Sequence, residues 1–108
     1  MTNEELHREE EKHARQIAEE LESIVDQWGF NGLIDYFDNL VDYDFRVDGA
    51  KRYLSARLWV TLGGPNICID TEESAVNIYW TGGSAWWGLS TKAKDEIDQF
   101  ARVCLFND

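Results

Sequence analysis

"YLSARLWVTL", residues 53–62, decides how this chain is read. Leu54, Ala56, Leu58, Val60 and Leu62 alternate with Tyr53, Ser55, Arg57, Trp59 and Thr61. A side-chain period of two over ten residues marks a strand with one buried face. Gly63-Gly64-Pro65 follows as a turn signal. "NICID" (66–70) is a short second strand, and "TEES" (71–74) interrupts it. "VNIYW" (76–80) is a third, with Val76, Ile78 and Trp80 on one face and Asn77 and Tyr79 on the other. Links this short imply an antiparallel meander of three strands, or four if "FRV" (45–47) adds one. "TGGSAWWG" (81–88) reads as a glycine-rich loop carrying two tryptophans.

Helical spacing governs the chain on either side. Thr2 and Glu5 fit a capping box, and Ala14, Ile17, Ala18, Leu21, Ile24, Val25 and Trp28 recur on one helical face. Gly29 is a natural stop. Glu10 falls on the same stripe and breaks it, so residues 1–12 are expected to project from the core or fray. A second, shorter helix is expected over about 31–41, with Leu33, Ile34, Phe37, Leu40 and Val41 inward. Asp35, Asp38 and Asp42, at i, i+3 and i+7, would share its other face. A final helix over about 91–106 would bury Ala93, Ile97, Phe100 and Cys104. The expected architecture is α+β: one domain over 1–108, with helices packed on one face of the meander. The opposite face would show Tyr53, Arg57, Trp59 and Tyr79, unless the loop with Trp86 and Trp87 covers part of it.

Charge is the second signal. The chain of 108 residues has net charge −11. Residues 1–48 hold 14 acids and four bases, a net of −10; residues 49–108 hold seven acids and six bases, a net of −1. Such asymmetry speaks about partners more than about fold. It argues against direct contact with DNA or RNA, whose phosphates need a positive surface. It suits a basic partner. No run approaches the ~18 apolar residues of a membrane span, and the N-terminus lacks the basic-then-apolar layout of a secretion signal. The expected location is the cytoplasm of a host bacterial cell. Cys68 and Cys104 stand far apart and read as buried thiols, not as a disulfide framework.

Motifs for catalysis are missing. Aligning Gly49 with the invariant glycine of a calcium loop puts Asp44 and Asp48 at ligand positions, but Arg46, Arg52 and Ser55 at the others. His7 and His13, the only histidines, lie about 240° apart around a helix and face no common metal. Neither has a nucleophile near it in sequence, and no phosphate-binding glycine motif occurs. No enzyme activity, metal or cofactor is expected.

What remains is a binding role. Carboxylates at i and i+3 or i+4 on a helix stand ~5–6 Å apart, of the order of neighbouring phosphates along a strand. Glu9, Glu19, Glu20, Glu22 and Asp26 offer one row; Asp35, Asp38, Asp42 and Asp44 offer another; Trp59 and Tyr79 offer an aromatic contact. Together they suit an inhibitor that fills the cationic nucleic-acid channel of a basic protein, as a mimic of DNA. "GGPNICIDTEESAVNIYW" (63–80), about a sixth of the chain, resembles a hairpin of small proteins from phages and mobile elements, among them inhibitors of CRISPR nucleases. The resemblance implies an anti-CRISPR-type or antirestriction-type role, with a CRISPR or restriction nuclease as partner. It carries over no functional residues. An immunity protein or antitoxin that neutralises a basic toxin would use the same acidic surface. A structural protein, dimerising through Ala14–Trp28, is the third reading.

Overall fold

The computed structural model describes residues 2–107. The fold is α+β. Helix α1 (Asn3–Tyr36) leads into strands β1 (Asp42–Val47), β2 (Tyr53–Thr61), β3 (Asn66–Asp70), β4 (Ala75–Trp80) and β5 (Gly83–Gly88). Helix α2 (Thr91–Phe100) follows and passes without a break into a π-helical segment, Ala101–Phe106. The strands form one antiparallel sheet in sequence order, each hydrogen-bonded to its neighbours along the chain. Five strands therefore replace the three or four expected.

The pairing register explains the extra strands. Tyr43, Leu58, Ile69, Val76 and Trp87 are cross-strand partners in one transverse row. Leu58, Ile69 and Val76, at its centre, are fully buried beneath the helices. The segment read as a loop is β5: Thr81–Gly82 turns the chain, and Ala85 points inward opposite Ile78. β1 extends the "FRV" signal back to Asp42, with Tyr43 and Phe45 on the helical side. The alternation read in 53–62 holds for Ala56, Leu58 and Val60 but fails at its ends. The register shifts beside Val47 and again between Trp59 and Thr61, which leaves Leu54 and Leu62 exposed. The first shift goes with Tyr53 standing on the helical side, against Phe45 and Phe106, with its hydroxyl donating to Asp98 at 2.6 Å.

Helix α1 is two helices joined at Gly29, whose φ of 57° and ψ of −140° are closed to residues with a Cβ. The break falls where the sequence puts it. Beyond it the helix is shorter than expected and stops at Tyr36, where Asp38 and Asn39 form a turn in place of further helix. Leu33 and Phe37 are buried, whereas Ile34 and Val41 are exposed. On the long arm Ala14, Ile17, Ala18, Leu21 and Val25 are buried as the periodicity requires; Trp28 is not, at 68% exposed. That stripe packs within this chain, so a dimer built on Ala14–Trp28 would have to open the core. Thr2 caps the helix by accepting from the Glu5 amide at 3.1 Å, and His7 lies edge-on to Trp80.

Ser90 caps α2, its hydroxyl accepting from the Ala93 amide at 3.1 Å. Ala93, Ile97 and Phe100 are buried; Cys104 is exposed, which corrects the expected buried thiol. In the π-helical segment each turn takes up an extra residue, so the inward face shifts. Ala101 is buried there, and Phe106 closes an aromatic cluster with Phe45 and Tyr53.

The bend makes a sharp prediction. An alanine Cβ at Gly32 would meet Trp28 Cβ at 2.6 Å and Ile24 Cγ2 at 2.7 Å, whereas one at Gly29 would touch nothing and fail on backbone angle alone. Gly29→Ala should cost about 1–3 kcal/mol, and Gly32→Ala should also destabilise, by overpacking. Gly49→Ala, in open space with no positive φ, should stay within about 0.5 kcal/mol of the parent in urea unfolding. Equal behaviour of all three would remove the argument for a required kink.

Candidate partner-binding surface

All helical cover lies on one face of the sheet. The other face carries a second row across all five strands: Asp42, Trp59, Cys68, Asn77 and Trp86 are successive cross-strand partners. The row beside it runs Asp44, Arg57, Asp70, Ala75 and Gly88. On this face Trp86 is 64% and Tyr79 37% exposed, and Trp59 is half-buried. Trp59 and Tyr79 pack with ring centroids 6.1 Å apart, and the Arg57 guanidinium stands 5.8 Å from the Trp59 ring centroid. Asp44 grips that guanidinium with two hydrogen bonds, at 2.8 and 2.9 Å. These bonds raise the pKa of Arg57 and hold it charged.

Cys68 and Asn77 are buried although no helix covers them. On this face Trp59 is the cross-strand neighbour of Cys68, and Trp86 that of Asn77. Burial, then the charge of Asp70, pushes the Cys68 thiol up to about 12, so it stays protonated at neutral pH. The Asn77 Nδ2 amide is buried with no hydrogen-bond partner among the described residues. Leaving such a donor unmet costs about 1–3 kcal/mol, and it sits in the middle of an aromatic face.

Four of the nine residues singled out from sequence meet here, Asp42, Asp44, Trp59 and Tyr79; Asp38 lies in the turn before β1. Tyr53, expected on this face, belongs to the other. Asp35, Asp38 and Asp42 do not share one helical face, because Asp35 is on α1, Asp38 in the turn and Asp42 on β1. They are nonetheless exposed in succession along one short segment, and none has a basic side chain paired with it among the described residues.

Three members of the other acidic row, Glu19, Glu22 and Asp26, are engaged within the chain. Glu19 takes the Arg15 guanidinium at 2.8 Å, while Arg15 also faces the Trp87 ring at 5.1 Å. Glu22 accepts from the Ser90 amide at 2.9 Å and from its hydroxyl at 2.5 Å. Asp26 takes Lys92 at 2.8 Å, which raises the pKa of that lysine. Glu22 and Asp26 thus seat the N-terminus of α2 on α1, where the helix dipole favours negative charge.

Sequence reasoning put Asn77 beside Tyr79 and set Trp86 in a loop, but counted neither among the site residues. The strand carrying Trp86 was signalled by the period of two through Ser84, Ala85 and Trp86, which the glycines at both ends masked. No protein family, curated protein or solved structure matches this chain. No helix among the described residues is long and apolar enough to cross a membrane.

Two stability measurements separate fastening from free surface. Glu22→Ala should cost about 1–2 kcal/mol, because it unties both bonds to the Ser90 cap. Trp86→Ser, on the open face, should change the urea midpoint by the equivalent of less than about 1 kcal/mol. A large loss from Trp86→Ser would make that indole part of the core and withdraw it from the surface.

Proposed function

We propose that this chain is a non-catalytic inhibitor that occupies the cationic nucleic-acid channel of a bacterial defence nuclease, of the CRISPR or restriction class, inside the host cell. One observation carries the reading: Asp35, Asp38 and Asp42 are exposed in succession with no basic side chain paired to them among the described residues, and the last of them lies in register with Trp59 on the sheet face away from the helices. Short aspartate side chains on a helix end, a tight turn and a strand fix charge more firmly than glutamates on a long exposed helix. A basic channel would meet these carboxylates where it meets phosphates. The indoles of Trp59 and Trp86 and the phenol of Tyr79 would then supply the desolvated centre that charge alone lacks, since aromatic anchors carry much of the binding energy at interfaces.

The class of partner comes from the resemblance of residues 63–80 to hairpins of phage and mobile-element proteins. The chemistry asked of the partner comes from charge. With net charge −11, association should be fast at low salt and should weaken as the Debye length contracts. No proton transfer or nucleophile is required of the chain; its action is occupancy.

The test uses purified CRISPR and restriction nucleases with DNA cleavage as readout. Inhibition relieved by excess DNA and by raising the salt is the expected result. The triple reversal Asp35→Lys, Asp38→Lys, Asp42→Lys should weaken binding at least tenfold, by the order-of-magnitude cost of like charges at an interface. Its thermal melt should stay close to the parent's, because all three positions are exposed. Undiminished binding by the reversed chain would sink the charge-mimic reading. Capture of a nuclease toxin, with neither defence enzyme inhibited, would replace it with the immunity-protein reading.

A further inference from the structure

The bend in α1 does more than redirect the helix. It opens a cleft of about 490 Å³ lined by Ile24, Trp28, Asn31, Gly32, Asp35 and Tyr36. Gly32 forms part of its wall, and it has no room for a side chain. Trp28 leaves the buried stripe of its helix here and turns two-thirds of its surface to solvent. An exposed indole beside a required kink is a costly arrangement for folding alone, because indole burial is among the largest apolar gains a side chain offers.

The polar side of the cleft is uniformly negative. Asp35 is exposed on the cleft wall. The Tyr36 phenol is pushed up to about 12, first by burial and then by the charge of Glu20 nearby, so it stays neutral and keeps its hydroxyl. Neither Asp35 nor Glu20 has a lysine or arginine paired with it among the described residues. An exposed indole, a carboxylate without a basic partner among the described residues, and the polar side chains of Asn31 and Tyr36 line one concave site.

We propose that this cleft is an anchor for an arginine side chain of the basic partner, with the guanidinium stacked on Trp28 and hydrogen-bonded to Asp35. This rests on the reading that the partner is basic, and it names the residue type the partner contributes. Arginine fits better than lysine. Its planar, weakly hydrated group stacks on an indole and forks onto a carboxylate, whereas an ammonium is a compact, strongly hydrated point charge. A neutral apolar ligand would leave the Asp35 carboxylate desolvated and unpaired, which is unfavourable. A phosphate or other anion would meet Asp35 and the field of Glu20 with no compensating cation.

The test needs no nuclease. Nα-acetyl-arginine methylamide is titrated into the full chain, and the indole N–H resonances of the five tryptophans are followed by NMR. The lysine and citrulline counterparts serve as comparisons. The expected result is a saturable shift of the Trp28 indole, with the Trp59 indole still. The lysine compound should bind at least about threefold more weakly, and citrulline, which is planar but uncharged, should not saturate. Asp35→Asn should weaken the arginine compound about tenfold, by loss of the charge-assisted bonds. A motionless Trp28 resonance, an equal response to citrulline, or full affinity in Asp35→Asn overturns the anchor. The ligand series is run on the unmodified chain, so a folding defect cannot stand in for a result. Failure here with nuclease inhibition intact removes the anchor and leaves the inhibitor reading standing; arginine binding without inhibition of any nuclease does the reverse.

Discussion

One constraint orders this molecule: a five-stranded sheet has two faces, and the chain has helix enough to cover one. Leu58, Ile69 and Val76, in a single transverse row, are fully buried beneath Leu21 and Val25 of α1 and Ile97 of α2, all of which belong to the same core. Burying such side chains stabilises the fold by roughly 1.5–3 kcal/mol each, and no comparable apolar layer exists on the reverse. The reverse must therefore manage its own hydration. It does so with amphipathic residues: Trp59, Tyr79 and Trp86 stand on it around Cys68 and Asn77, and Arg57, over the Trp59 ring, is held by Asp44. A face built this way is stable in water and ready to lose that water to a partner.

The ion pairs are fasteners of modest value. Arg15–Glu19, Arg52–Asp48, Arg57–Asp44 and Lys92–Asp26 all lie at the surface, where such pairs contribute about 0–1 kcal/mol. Asp48 illustrates the limit: the Arg52 amide and then that of Ala50 lower its pKa, yet its Arg52 partner is exposed and its worth is the shape it gives the β1–β2 turn. The excess of acids left over repels itself and weakens the compact state slightly. Stability within the fold therefore does not explain the composition.

Much of the fold is legible in sequence because its central elements obey one rule at a time. β2 and β4 alternate, α1 repeats at helical spacing, and Gly29 ends a turn as glycine does. The failures fall where two rules compete. β5 begins and ends in glycine, so turn chemistry outvoted the alternation through Ala85. The π-helical segment moves Cys104 off the face that an α-helix would give it. Trp28 satisfies the periodicity of its stripe, but the bend one residue later turns it outward. The candidate site was half legible for a related reason: Asp42, Trp59 and Tyr79 could be named, while the meeting with Trp86 depends on the β4–β5 register, set by an alternation that the flanking glycines masked.

The aspartates of 35–48 have a competing explanation that the structure lets us weigh. β1 is an edge strand, and edges are commonly defended by charge against pairing with other chains. Asp42, Asp44 and Arg46 lie on its outer face and suit that purpose. Edge defence, however, asks for charge on the strand and is indifferent to its sign; Arg46, held by Glu72, shows that a cation is accepted there. It says nothing about Asp35 and Asp38, which lie before the strand begins. Nor does it explain why the carboxylate nearest a basic neighbour, Asp44, is paired while Asp35, Asp38 and Asp42 are not. A defended edge needs only to repel. A segment that carries aspartates without basic partners from the end of a helix, through a turn, onto an edge strand holds more charge than edge defence requires.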